Sequence, residues 1–181
     1  VFSWLMMEKI GSHVYPEKAS TKKPSSILLL SPLFHVNGSH PNFLYGIAKG
    51  SKITLMYKWD PKQAVDIIEN ETITLIRAVP TVISDLVEEA IAQNKSLSSL
   101  ETLNAGGAKR PAPNVAYEKN ALPLTDISSG YGMTETNALG VSVSGDEYLE
   151  NPELAGRLIG VLQDIKIVDE NNKEVKDGEV G

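Results

Sequence analysis

Short apolar runs alternate with stretches of helical periodicity from residue 27 to residue 128, and few folds accommodate that order. Residues 27–30, 52–57, 73–79 and 124–128 read as strands, and residues 97–104 lead into a glycine-containing turn. Apolar runs bounded by turn formers suit strands buried on both faces of a parallel sheet. Strands that alternate with helices therefore predict an α/β fold, a parallel sheet flanked by helices. Right-handed crossovers would then bring the turns at 31–38, 105–109 and 129–135 to the carboxyl edge of the strands, where open α/β sheets bind ligands.

The helices are marked locally. Asp60-Pro61-Lys62-Gln63 opens one: Asp60 caps, Pro61 suits the first turn, and Gln63 sits at the capping-box position. Val79, Val82, Ile83, Leu86, Val87, Ala90 and Ile91 recur at helical spacing, so one stripe faces a core. Further helices are expected over 37–49, with Asn37 as its cap, and over 113–120. Residues 16–26, rich in Lys, Ser, Thr and Pro, read as an exposed connection. After Asn151-Pro152 the pattern turns to alternating β at 164–168, so residues 152–181 are expected to start a small C-terminal β element after an α/β unit of residues 1–151.

The segment Ser129-Gly130-Tyr131-Gly132-Met133-Thr134-Glu135-Thr136 carries the most chemistry. Glycines let backbone approach a ligand, Tyr131 offers a ring face to a purine, Thr134 a hydroxyl to a phosphoryl oxygen, and Glu135 a hard oxygen to Mg2+. The same string also reads as a glycine turn between a strand and a helix, with Thr134 or Glu135 as cap or surface residue.

Three segments in order resolve that choice. The string from Gly130 to Thr136 resembles the adenine-binding signature of the adenylate-forming (AMP-binding) superfamily. Pro32-Leu33-Phe34-His35-Val36-Asn37-Gly38 is similar to that superfamily's PLFH segment, and Asn104-Ala105-Gly106-Gly107-Ala108 to its GGA turn. The resemblance extends through Trp59-Asp60-Pro61, Ala78-Val79-Pro80-Thr81 and the final Asp177-Gly178-Glu179-Val180-Gly181, and it favours the acyl-CoA synthetases, the fatty-acid or aryl-CoA ligases. It implies ATP and Mg2+ as cofactors, coenzyme A as co-substrate and a carboxylic acid, expected to be fatty, as substrate.

The resemblance also assigns roles. Gly106, Gly107, Ala108, Gly130, Tyr131, Gly132, Met133, Thr134 and Glu135 would hold ATP or AMP. His35, Asn37, Gly38 and Ala105 would line the acid site, and Glu135 with Thr134 would hold the metal. His35 is assigned no general-base role. Lys109 and Arg110 read as a solvated charge pair. The superfamily's Pro-Lys-Gly phosphate loop, its ribose-binding Asp and its C-terminal lysine domain have no counterpart here. The chain is therefore expected to be a fragment of a large N-terminal domain, inactive alone. A nucleotide-binding or interaction module of the same fold is the alternative.

Composition excludes other classes. A net charge of −6 with scattered Lys and Arg argues against a nucleic-acid partner. Zero cysteines exclude disulfides and thiolate metal sites, and three histidines without paired spacing do not suggest zinc. No apolar run approaches the roughly 20 residues of a spanning helix. A cytoplasmic protein is expected, with peripheral membrane association left open, and the oligomeric state is not legible.

Overall fold

A computed structural model describes residues 2–14, 23–158 and 163–181; of the connection expected over 16–26, residues 16–22 lie outside these. Strands β1 (Ser26–Leu29), β2 (Lys52–Leu55), β3 (Leu75–Ala78), β4 (Thr102–Ala105), β5 (Asp126–Gly132), β6 (Gly140–Ser144) and β7 (Arg157–Leu158) form one sheet in the order β2-β1-β3-β4-β5-β6-β7. The first five are parallel, as the alternating pattern predicts. The sheet then continues with two antiparallel strands, β6 on β5 and β7 on β6, so the far edge is a meander.

Helices α3 (Pro61–Glu71), α4 (Pro80–Ala92), α5 (Ala112–Ala121) and α6 (Gly145–Glu150) supply one side of the core. Ala64, Val65 and Ile68 of α3, Ile83, Leu86 and Val87 of α4, and Tyr148 of α6 share a cluster with Leu28, Ile76, Leu103 and Ile127 of the strands. The amphipathic stripe explains α4, with one adjustment: Val79 and Ile91 at its ends are exposed. Asp60 caps α3 as its sequence predicts, accepting a hydrogen bond from the Gln63 amide at 3.1 Å.

On the opposite face lies the helix expected over 37–49. It is a π-helical segment (Gly38–Leu44) running into the short α2 (Tyr45–Ala48), with Pro41 inside the π segment. Gly46 allows a close approach there: a Cβ would come within 3.1 Å of Ile27 and 3.2 Å of Ile53. Helix α1 (Phe2–Val14) joins this layer through Glu8, which accepts hydrogen bonds from Tyr45 and Lys49.

Three local expectations change. Asn37 does not cap a helix: its backbone is already helical, and its amide donates to Ser31 Oγ at 3.0 Å. Residues 164–168 form no strand, only a single bridge between Val168 and Glu174, because no further strand pairs with them among the described residues. The turn expected at 129–135 starts later, since β5 carries Gly130, Tyr131 and Gly132 in the ladder with β6. No helix among the described residues is long and apolar enough to cross a membrane.

Asp60→Ala removes the α3 cap and is expected to cost about 1 kcal/mol of stability in urea unfolding. An unchanged midpoint would mean that the cap bond contributes nothing net.

Candidate functional site

Because β1 and β3 to β5 are parallel, the turns after them share one edge of the sheet. A cleft of about 550 Å³ opens there. Pro32, His35 and Asn37 from the β1 turn, Gly106 and Gly107 from the β4 turn, and Gly130 to Gly132 of β5 all line it, so the three motifs meet.

Each segment has a local reason for its shape. The β1 turn is folded tightly: the His35 amide donates to Pro32 O at 3.0 Å, and a Cβ on Gly38 would lie 2.2 Å from Pro32 O. Gly38 is thus buried beneath the cleft and does not line it. His35 is exposed and its ring lies tilted by 47° against Phe34, centroids 4.8 Å apart. In the β4 turn the Gly106 amide donates to Ala78 O at 3.1 Å, and Gly107 adopts φ +81°, a left-handed conformation that favours glycine. Ala105 is fully buried behind the wall, and Ala108 is exposed beyond the lining.

Tyr131 presents its ring, 55% exposed, to the cleft. Gly132 and Gly140 let the two strands of the β5–β6 hairpin close: a Cβ on Gly132 would meet Ala138 at 2.6 Å, and one on Gly140 would meet Tyr131 O at 2.2 Å. Met133, Thr134 and Glu135 lie exposed on the hairpin turn, past the cleft lining. Thr136 locks this turn, accepting from the Met133 amide at 3.0 Å while its hydroxyl reaches Leu139 O. Trp4 of α1 adds a bond from its indole to Asn137 O at 3.1 Å, tying the helix to the turn.

Several lining residues escape sequence reasoning. Arg77, Asn104, Trp4 and Ser142 line the cleft. The available signal for Arg77 was a lone cation inside an apolar strand, which rarely occurs without a partner or a role. Trp4 gave none, since its contact spans most of the chain.

Arg110 also corrects its expectation. Lys109 is solvated and pairs with Glu153 at 3.0 Å. Arg110 is instead buried: it meets Glu118 of α5 at 3.1 Å, donates to Ser128 O at 3.2 Å, and lies over the Tyr148 ring. It thereby anchors α5 to β5 two residues before Gly130. Burial pushes the Glu118 carboxyl up to about 7, and the adjacent guanidinium only partly offsets that.

The arrangement combines an exposed aromatic face, two stretches of close-approach backbone and a carboxylate at the rim, which suits a purine nucleotide with its phosphates. Among the described residues no group of three or more His, Cys, Asp or Glu side chains is placed to hold a metal ion. A family profile described as AMP-binding enzyme matches residues 6–181. The chain belongs to the AMP-binding enzyme family. It is 30% identical over 172 residues to 4-coumarate–CoA ligase-like 5 of rice, Oryza sativa, covering 95% of this chain and 31% of that protein. The fold matches the fatty acyl-CoA synthetase of Mycobacterium tuberculosis at TM-score 0.74 and 17% identity, over 93% of this chain and 33% of that one. It also matches the O-succinylbenzoate-CoA synthetase of Bacillus subtilis solved with ATP and magnesium, at TM-score 0.75 and 21% identity, over 96% and 35%. This AMP-binding chain thus spans a third or less of the length of the curated relatives it matches.

The raised Glu118 pKa has a definite sign. An acid with a folded pKa near 7 and an ordinary value of 4.5 holds its proton longer when folded. It adds stability at pH 4.5 that is lost as pH rises through about 7. Glu118→Gln is expected to flatten that slope in urea titrations at several pH values. An unaltered slope would assign the pH dependence to another group.

Proposed function

We propose that this chain is the nucleotide- and acid-binding part of an ATP-dependent acid–CoA ligase. The observation that carries the reading is the convergence of Pro32, His35, Val36 and Asn37, of Gly106-Gly107 and of Gly130 to Gly132 on one cleft. Within it Tyr131 stacks on adenine, and the glycine backbones of 106, 107, 130 and 132 allow close approach. Ala105 and Ala108 bound the GGA turn from behind and above. Thr134 and Glu135 reach phosphate and Mg2+ from the rim, with Met133 beside them. His35 and Asn37 border the acid, and Gly38 shapes their turn.

The metal fits this donor set, since Mg2+ is commonly held by one or two carboxylates with substrate phosphates and water completing its shell. When bound, it supplies charge neutralisation to the phosphates. In the first half-reaction a carboxylate oxygen of the acid attacks the α-phosphorus of ATP; the bond to the β-phosphate bridging oxygen breaks and pyrophosphate leaves. The thiol of coenzyme A then displaces AMP from the acyl carbon. No protein nucleophile is needed, so the work of the chain is alignment and charge stabilisation.

The rice relative's name specifies an aromatic acid and the mycobacterial one a fatty acid, and both fall within the proposed class. The matched lengths, a third of each relative, agree with one part of a larger ligase. They likewise support the view that these 181 residues do not turn over alone.

The test is ATP–pyrophosphate exchange by the full-length protein that carries this chain, over a panel of aliphatic and aromatic carboxylic acids. Acid-dependent exchange is expected, and Glu135→Gln is expected to reduce it on the order of 100-fold at limiting Mg2+. Silence with every acid would overturn the ligase reading in favour of a non-catalytic module. Exchange by Glu135→Gln at the normal rate would remove Glu135 from the metal site.

A further inference from the structure

The floor of the cleft holds a charge that the ligase reading does not use. Arg77 lies near the end of β3 and lines the cleft, which has no acidic side chain among its described lining residues. Arg77 as a residue is half-buried and forms no ion pair among the described residues; its hydrogen bond to Pro41 O is long, at 3.4 Å. A guanidinium carries five donors in a fixed fork and stays charged. No side-chain nitrogen of Arg77 is both enclosed and unpartnered, so the donors that Pro41 O leaves open are reachable from the cleft. Burial accordingly pulls the Arg77 pKa down, with Tyr45 opposing it slightly.

Register shows where this charge stands. Arg77 pairs with Asn104, and Asn104 with Ser128, in one row across β3, β4 and β5, and Asn104 donates to Ser128 Oγ at 2.9 Å. Gly106 lies two residues beyond Asn104, just past the end of β4, and Tyr131 three residues beyond Ser128 along β5. At about 3.3 Å per residue the polar row lies roughly 7 to 10 Å below the rim that meets the nucleotide. Val79, Val141, Pro41 and Trp4 contribute apolar surface to the same cleft. A ligand entering from the rim thus meets an apolar slot that ends on a cation.

We infer that Arg77 selects acids whose far end carries a second carboxylate, so that the substrate class is a dicarboxylic acid with an apolar middle. This deepens the ligase reading and rests on it. One carboxylate reacts at the rim, while the other accepts the fork of N–H donors from Arg77.

The experiment is pyrophosphate exchange by the full-length protein with matched pairs of acids: straight-chain monocarboxylic acids and the α,ω-dicarboxylic acids of the same carbon number. Wild type is expected to prefer a diacid in at least one pair. In Arg77→Met the ratio of kcat/KM for diacid over monoacid should fall on the order of 100-fold, through KM more than kcat. Arg77→Lys should restore part of it, with the KM for ATP serving as the check that the rim is intact. A wild-type preference for monoacids in every pair, or a ratio that Arg77→Met leaves unchanged, overturns the inference and leaves the ligase reading standing. No exchange with any acid overturns both.

Discussion

The parallel register across β1, β3, β4 and β5 is the constraint on which the site depends. Parallel neighbours cannot be joined by a tight hairpin, so each strand must cross over through a helix before the next begins. Every turn that leaves a strand therefore falls on the same edge. That is why His35, Gly106 and Tyr131, nearly a hundred residues apart at the extremes, face one cleft. The core follows from the same register, because Leu28, Ile76, Leu103 and Ile127 present one apolar face to α3, α4 and α5. The other face can then carry polar residues without opening the core. Arg77, Asn104 and Ser128 form their row there.

Two arginines show how burial sorts charge. Arg110 is enclosed with Glu118 and Ser128 O, so its donors are partly met within the protein and its effect is to fix α5 against β5. Such a pair gains little net stability over an apolar replacement, but breaking one half of it leaves an uncompensated charge. Among the described residues Arg77 has no such carboxylate. It lines the cleft, where no acidic side chain stands among the described lining residues, so the carboxylate of a ligand would be its counter-charge.

Much of the fold was legible because it rests on local rules. The Asp60 cap, Pro61 at the first turn and the α4 stripe each act over a few residues, and each formed as its sequence indicates. The parallel sheet followed from the alternation of periods. What stayed hidden depended on contacts distant in sequence. The antiparallel return of β6 onto β5 requires Gly132 and Gly140 to meet, and the glycines at 130 and 132 read equally well as a turn. Arg110 looked solvated because its partner Glu118 lies on the next helix, at a distance no pattern rule spans. Asn37 looked like a cap because its residue type favours one, yet Ser31 captures its amide first. In the site, the motif residues on the cleft wall were legible as a group. Arg77 and Trp4 were not, because only tertiary packing brings them there.

The most direct measurement is a crystal structure of the full-length protein with a non-hydrolysable acyl-adenylate analogue. Adenine is expected against the Tyr131 ring, with the glycine turn at 106–107 along the nucleotide and the acyl end directed down the cleft to Arg77. Adenine bound away from Tyr131, or an acyl chain leaving the cleft on the side opposite Arg77, would contradict this arrangement.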